Sequence, residues 1–179
     1  MRSAPSVPVL AVPADDAAGE IVVRAATLHD LDVVVELRLA LLREEPDHPI
    51  YGRLKTDVAK RARDLFARQL RSIEETVYLA AMQGEIVGIL RVTEAAGSPL
   101  LDPGRYAYVS SVYVRPAARK RGVMRALLAA AERWARLRGL DQMRLHNVAG
   151  SANAEGAWGA LGFDVVEHVR MRRVGQKDG

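Results

Sequence analysis

The chain has 179 residues, of which 49% are hydrophobic and 27% charged, a balance that predicts an ordinary globular domain and argues against a disordered chain. It has no cysteines, which excludes disulfides and thiolate catalysis, and its four histidines lack ligand spacing, so no metal site is expected. No apolar run approaches the ~20 residues of a membrane helix, so no membrane partner is expected. The first ten residues are not typical of a signal peptide, and a cytoplasmic location is the default expectation.

The two ends of the chain are expected to lie outside the folded domain. Residues 1–19 contain three prolines and no aromatic residue, and they are predicted to form a flexible tail. Residues 20–174 are predicted to form a single domain, and residues 175–179 a short C-terminal tail.

The predicted elements alternate between strands and helices. A first strand over 21–24 is followed by a helix that Thr27 and Asp30 can cap and that ends before Pro46, then by a second helix over 57–73. Strands over 76–82 and 86–93 form a hairpin around Gln83-Gly84. A strand over 106–114, a long helix over 121–138, a strand over 143–148, a helix over 153–161 and a strand over 163–172 complete the chain. This order, β-α-α-β-β-β-α-β-α-β, predicts an α/β (α+β) fold with a mixed sheet and helices on both faces.

The positive charge is concentrated in one segment. The chain as a whole carries +4, whereas residues 115–144 hold nine basic residues against two acidic ones, a local charge of +7. Such a segment favours a polyanionic partner, either a nucleic acid or a phosphate-bearing small molecule, although a solvated helix face gives the same pattern.

The stretch from Val112 to Leu128 has the form of a phosphate site. A strand leads through a short basic turn into a long helix, with Gly122 at the entrance. The first amides of a helix lack internal partners and carry the positive end of its dipole, so a phosphate placed there accepts several N–H bonds. The chain contains neither G-x-x-x-x-G-K-[ST] nor G-x-G-x-x-G, which disfavours a P-loop NTPase and a dinucleotide-binding fold.

In this stretch the sequence resembles the GNAT superfamily of acetyl-CoA-dependent N-acetyltransferases. The family's R/Q-x-x-G-x-G/A motif reads R-K-R-G-V-M over 119–124, after a V-x-P lead-in at 114–116. Its N-x-x-A-x-x-x-Y-x-x-x-G-F window reads S-A-N-A-E-G-A-W-G-A-L-G-F over 151–163. The hairpin segment G-E-I-V-G at 84–88 and the opening V-R-A-A-T-L-H-D-L at 23–31 are also similar. The resemblance covers about 21–173 and implies a mostly antiparallel sheet of six to seven strands.

The resemblance also implies a set of coenzyme-binding residues. The pyrophosphate of acetyl-CoA would lie on the amides of residues 121–124, with the pantetheine along the preceding strand. The implied residues are Val112, Val114, Arg119, Lys120, Arg121, Gly122, Val123, Met124, Arg125, Ser151, Asn153 and Trp158.

The catalytic groups that the family uses are less evident. By resemblance, the backbone amide of Val112 would stabilise the oxyanion, and Tyr108 and His146 are the available proton-transfer candidates. Met124 stands where Gly or Ala is usual, Ser151 replaces an Asn, and Trp158 replaces a tyrosine that serves many members as general acid. Tyr108 stands where some members have a glutamate base.

The break between the first two helices borders the acceptor site in the family. Glu44, Glu45 and His48 lie there and are candidates for binding an amine acceptor, although a solvated loop explains them equally well.

Three functions remain open from the sequence. The first is an N-acetyltransferase that moves an acetyl group from acetyl-CoA to an amine of a small molecule or peptide, by direct transfer within a ternary complex. The second is a coenzyme-binding module without transfer activity, a sensor or regulator. The third is a nucleic-acid binder, which the scarcity of aromatic residues in the basic helix disfavours. The identity of the acceptor and the existence of a homodimer are left open.

Overall fold

The architecture was established from a computed structural model that describes residues 10–12, 20–148, 152–172 and 174. The chain divides into two compact units, one ending at His146 and the other beginning at Asn147. Six strands and three of the four α-helices belong to the first unit. The strands are β1 (Leu10–Val12), β2 (Ile21–Ala25), β3 (Glu75–Met82), β4 (Glu85–Ala96), β5 (Arg105–Val114) and β6 (Met143–Leu145); the helices are α1 (Leu31–Arg43), α2 (Val58–Gln69), α3 (Val123–Leu137) and, in the second unit, α4 (Ala152–Gly159).

The sheet follows the chain order from β1 to β6. Every neighbouring pair is antiparallel except β5 and β6, which are parallel and joined through α3. The predicted α/β (α+β) class, with a mixed and mostly antiparallel sheet, is therefore confirmed. The hairpin between β3 and β4 turns at Gln83 and Gly84, both with positive φ, as the sequence predicts.

Helices cover both faces of the sheet. On one face α1 and α2 pack through Leu37 and Phe66 against β-strand residues that include Ile89 and Tyr113, forming one hydrophobic cluster. On the other face α3 approaches β4 closely at Gly88, where an added Cβ would lie 3.0 Å from Val123 Cγ1. The absence of a side chain at Gly88 thus allows the start of α3 to lie directly on the sheet.

The sequence-based boundaries differ from the structure at the two ends of the sheet. Residues 10–12, inside the expected N-terminal tail, pair with β2 as an edge strand. The predicted strand over 163–172 is wrong, because those residues form no strand. Their valines favour extended backbone, but a strand requires a hydrogen-bonding neighbour, and the second unit has no strand in its described residues to supply one.

The second unit consists of α4 and the segment that follows it. Trp158 packs edge-on against Phe163, with ring centroids 5.5 Å apart, and the Phe163 N–H donates to the Trp158 carbonyl at 3.1 Å. The reversal between them occurs at Gly162, where φ is +84°. This ring contact packs the segment after α4 against the last turn of the helix.

No helix within 20–148 or 152–172 combines the length and the apolar character that crossing a membrane requires.

An ion pair fixes the start of α1. Arg24 on β2 donates two hydrogen bonds to Asp30, at 2.7 and 2.8 Å, and both the N–H and the hydroxyl of Thr27 also donate to Asp30. The Arg24 guanidinium holds the pKa of Asp30 well below its usual range. The predicted capping box of Thr27 and Asp30 is confirmed, and the Asp30 carboxylate also accepts the Arg24 guanidinium.

We expect Asp30→Asn to lower the free energy of unfolding by about 1–2 kcal/mol at pH 7, because it removes a charge-assisted pair whose arginine is partly exposed. A lowered native-state pKa stabilises the fold above the unfolded-state pKa of ~3.9 and loses that effect as pH falls toward the native value. Urea unfolding of both proteins should give a constant difference from pH 8 to 5 and a smaller one below about pH 4. A difference that grows on acidification would contradict the pairing.

Candidate functional site

An extra residue interrupts the pairing of β5 with β4. Ser110 pairs with Arg91, but Tyr113 pairs with Ile89, so two residues of β5 lie opposite one residue of β4. Ser111, one of these two, has a φ of +55°. A β-bulge of this kind bends the strand and reverses the direction in which the following N–H groups point.

Two backbone hydrogen bonds show the reversal. Before the bulge, the Ala107 N–H donates toward the β6 side, to Gln142, at 2.9 Å. After it, the Arg115 N–H donates to Val87 on the β4 side at 2.8 Å. Since N–H groups alternate along a strand, Val112 and Val114 direct theirs to the β6 side. The β6 strand pairs only with residues 107–109 of β5, so within the described residues the second half of β5 has an open edge on that side.

The start of α3 lies a short turn beyond this open edge. Gly122 caps the helix with a φ of +85°, and the first bond inside the helix runs from the Ala126 N–H to the Gly122 carbonyl at 3.0 Å. The preceding N–H groups, including those of Val123 and Met124, have no acceptor within the helix. Together with the helix dipole, they form a site for an anion.

Three cations surround this helix start without counterions. Lys120, Arg121 and Arg125 are exposed, and none of them makes an ion pair or a side-chain hydrogen bond with the residues that the structure describes. Their charge is therefore available to an external anion.

Arg119, by contrast, is engaged within the protein. Its Nε donates to the Val114 carbonyl at 3.0 Å, its guanidinium lies 5.8 Å from the Tyr113 ring centroid, and it forms an ion pair with Glu44 at the end of α1. Two residues assigned by sequence to different ligands, Arg119 to the coenzyme and Glu44 to the acceptor, thus contact each other. The pair connects α1 to the turn before α3.

The two proton-transfer candidates lie together. Tyr108 on β5 pairs in register with Arg144 on β6, and His146 follows two residues later. The Tyr108 hydroxyl lies 2.9 Å from Nδ1 of His146 and donates to it when the imidazole carries its proton on Nε2. Burial raises the pKa of the Tyr108 phenol, with smaller contributions from Tyr51 and Tyr106. Tyr108 thus stays protonated at neutral pH beside an exposed imidazole.

His48 organises the loop after α1. Its Nδ1 accepts the backbone N–H groups of Ile50 at 3.2 Å and Tyr51 at 3.1 Å, and its ring stacks on Tyr51 with centroids 4.7 Å apart. The Glu45 carbonyl accepts the His48 N–H at 3.2 Å. The proposed acceptor-binding role of Glu45 and His48 remains a prediction, while the contacts assign His48 a structural part in positioning Tyr51.

The remaining predicted coenzyme residues belong to the second unit. Ser151 and the side chain of Asn153 lie outside the described residues, and Trp158 contacts Phe163 within its own unit. Their roles at the coenzyme remain predictions.

The sequence analysis missed Arg38 and Arg91. Arg91 donates to Ser110 Oγ at 3.1 Å and forms an ion pair with Glu75. Arg38 lies four residues after Val34 and directly after Leu37, two residues of α1 that are buried. A charged residue at a core-facing position is the signal that would have identified it.

The chain is similar to known acetyltransferases. Residues 39–163 match the sequence model of the acetyltransferase (GNAT) family. An aminoglycoside N(6')-acetyltransferase type 1 from Klebsiella aerogenes is 33% identical over 93 residues, which are 52% of this chain and 61% of that protein. The chain is thus matched to less than two thirds of the length of this curated relative.

Two solved structures are similar in fold. A predicted acetyltransferase from Clostridium acetobutylicum, crystallised with acetyl-CoA, superimposes with a TM-score of 0.70 at 18% identity, over 86% of this chain and 96% of that one. An aminoglycoside 6'-N-acetyltransferase from Acinetobacter haemolyticus gives a TM-score of 0.69 at 18% identity, over 87% of this chain and 99% of that one.

The Tyr108 environment can be checked by titration. Because burial raises the pKa of Tyr108 above the ordinary tyrosine pKa of ~10, we expect its phenol to remain mostly protonated at pH 10. Tyrosines labelled with ¹³C at Cζ, with the Tyr108 signal assigned through Tyr108→Phe, should show this resonance shifting later than that of free tyrosine. A midpoint at or below pH 10 would mean that the hydroxyl is solvated rather than held against His146.

Proposed function

Because the chain belongs to the acetyltransferase (GNAT) family, we propose that it transfers the acetyl group of acetyl-CoA to an amine, with both substrates bound at once. The observation that carries the proposal is the open edge of β5 leading directly to the α3 N-terminus, whose three cations have no partner in the described part of the chain. A strand edge suits amides, and a helix start suits phosphates. Coenzyme A carries both, two amides in its pantetheine arm and a pyrophosphate at one end of it.

The coenzyme would bind by completing the sheet locally. Its pantetheine amides would pair with the open edge of β5 at the Val112 carbonyl and the Val114 N–H, as an added strand does, which keeps the Val112 N–H for the acetyl group. Its pyrophosphate would accept the amides at the start of α3, with Lys120, Arg121 and Arg125 balancing the charge. Arg119 takes an indirect part, because its bonds to Val114 and Glu44 hold the turn in place.

The bulge positions the hydrogen-bond donor that would stabilise the negative charge formed during acetyl transfer. When an amine attacks the thioester carbonyl, the carbonyl oxygen gains negative charge. The Val112 N–H, which lies next to Ser111 and points to the open β6 side of the strand, is the fixed donor for that oxygen. A thiol of pKa near ~8.5 is a fair leaving group, so departure of the coenzyme thiolate needs little acid assistance.

Tyr108 and His146 would provide a route for the proton that the amine loses. The Tyr108 oxygen would accept it while its own proton moves to His146 Nδ1, 2.9 Å away. The exposed imidazole then loses one proton to water and returns, by proton exchange with water, to the tautomer that carries its proton on Nε2. This relay leaves Tyr108 neutral at the end of each cycle, as its raised pKa requires.

The two alternative functions make different demands on the same residues. A sensor or regulator would use the coenzyme site at the open edge of β5 and the start of α3 without the relay. Trp158, which stands in place of the family's tyrosine, favours this alternative. A nucleic-acid binder would use the whole basic segment. Five of the nine basic residues in that segment instead contact groups of the protein: Arg115, Arg119, Arg136, Arg138 and Arg144.

Release of free coenzyme A from acetyl-CoA in the presence of a panel of amines tests the function. We expect acetylation of at least one amine, with Tyr108→Phe lowering kcat by about 10²–10⁴-fold, the usual contribution of acid–base catalysis. Tyr106→Phe is the matched control, since it makes the same change two residues away on a ring that packs against Arg144 at 4.1 Å. Binding of acetyl-CoA without turnover of any amine would favour the sensor function. Equal effects of the two variants would show that Tyr108 does not transfer the proton to His146.

A second experiment tests the phosphate-binding role of the start of α3. Gly122→Glu places a carboxylate at the start of α3, and we expect it to raise the Kd for acetyl-CoA by about 100-fold or more, because charge-assisted hydrogen bonds contribute about 1.5–3 kcal/mol each. Gly139→Glu at the other end of α3 is the control, since Gly139 also has a positive φ, +67°, and open space around it. If calorimetry finds equal affinities in both variants, the phosphates bind elsewhere.

A further inference from the structure

Arg38 is the one charged residue on the buried stripe of α1. Val34 and Leu37 on that stripe are fully buried, and α1 packs on β4 and β5. Arg38 is half-buried among these contacts. Burial lowers the pKa of its guanidinium, and nearby Arg91 acts in the same direction, against the opposing effect of Tyr51.

No counterion compensates Arg38 within the described residues, where it makes no ion pair and no hydrogen bond. Three carboxylates on α1, at its end and on β3 are paired with other arginines: Glu36 with Arg115, Glu44 with Arg119, and Glu75 with Arg91. A guanidinium that is taken out of water without a partner is unfavourable, and the adjacent positive charge of Arg91 increases the cost. A site that carries such a cost is suited to an anion that arrives from outside.

Arg91 offers a second donor to the same anion. Its Nε is engaged by Glu75 and its Nη1 by Ser110, which leaves Nη2 without a partner among the described residues. Arg38, Arg91 and Glu75 together carry one net positive charge. Planar guanidinium groups bind carboxylates through paired hydrogen bonds, which a lysine cannot reproduce.

This cationic cluster lies beside the proton relay. Arg91 lies two residues after Ile89, on the sheet face that α1 covers, and Arg38 lies on the α1 stripe that packs against β4 and β5. Tyr51 and Arg91 contribute to the pKa shifts of both Arg38 and Tyr108, which agrees with this placement. Ser110, which binds Arg91, is two residues from Tyr108 and directly before the bulge. An anion held by Arg38 would therefore lie close to the reacting groups, on the opposite side of the relay from solvent-exposed His146.

We propose that Arg38, with Arg91, binds a carboxylate of the acceptor, so that the acceptor is an amine that also carries a carboxylate, as amino acids do, and not a polycationic amine. The inference rests on the proposed acetyl transfer. It makes Arg38 a specificity-determining residue, because the uncompensated charge attracts a carboxylate and repels additional ammonium groups.

The test compares acceptors that differ only in the carboxylate. Free amino acids, their carboxamides and the corresponding decarboxylated amines are assayed with saturating acetyl-CoA. We expect a kcat/KM roughly 10- to 100-fold higher for the acids, the range of a charge-assisted pair. Arg38→Gln should abolish the preference through KM, with kcat and the Kd for acetyl-CoA unchanged, and Arg38→Lys should restore part of it.

The control variant is Arg63→Gln, which removes an α2 arginine that pairs with exposed Asp32 and should leave the preference intact. Arg38→Gln should melt at the same temperature as the wild type or higher, because it removes an uncompensated charge. Equal use of acids and amides by the wild type would overturn the proposal. A weaker affinity of Arg38→Gln for acetyl-CoA would also overturn it, since the anion would then be a coenzyme phosphate.

Failure of the proposed function can be separated from failure of this inference. If no amine is acetylated, binding of the acids and carboxamides to the coenzyme-A-loaded protein is measured by calorimetry. Tighter binding of the acids that is lost in Arg38→Gln would retain the anion site while the transferase assignment falls. Equal binding of acids and carboxamides would show that Arg38 does not bind a carboxylate either.

Discussion

One extra residue in β5 is the constraint on which the rest of the site depends. Residues 107–109 of the strand are paired on both sides, with β4 and β6, whereas beyond Ser111 the strand pairs with β4 alone among the residues that the structure describes. The bulge directs the N–H groups of Val112 and Val114 to the open side. Without that change of direction the open edge would present the alternate set of groups, and the turn into α3 would leave the sheet at a different angle. Geometry within one strand thus sets where a coenzyme amide, a thioester carbonyl and a pyrophosphate would lie relative to each other.

Charge pairing around α1 complements this backbone geometry. The Arg24–Asp30 pair fixes the start of the helix, and the Arg119–Glu44 pair connects its end to the turn before α3. Several carboxylates near the site are used in these and similar pairs, and two cationic sites are left without a counterion among the described residues. One surrounds the α3 N-terminus and is exposed, while the other, at Arg38, is half-buried. Their difference in burial agrees with the proposed pyrophosphate at the first and a small carboxylate at the second.

The sequence predicted the fold class and the phosphate-shaped turn, because both depend on local patterns: alternating strands, a tight hairpin at Gln83-Gly84 and a glycine at a helix entrance. It did not predict the bulge, since an extra residue becomes visible only when β5 is aligned with β4. It predicted a strand over 163–172, a segment that forms no strand and has no partner strand among the described residues of its unit. It also gave Arg119 and Glu44 separate roles, because their contact spans 75 positions of the chain. Arg38 was overlooked for a related reason: its charge has meaning only beside Arg91, on another element.

The central claim, that the open edge of β5 and the start of α3 form one coenzyme site, is tested most directly by NMR. Backbone amide resonances are recorded while coenzyme A is added to the ¹⁵N-labelled protein. If they form one site, the largest shifts are expected at Val112, Val114 and the amides of residues 120–125. Shifts concentrated instead at the far ends of β5 and α3, where residues 103–105 and 139–141 line a separate cavity, would contradict it.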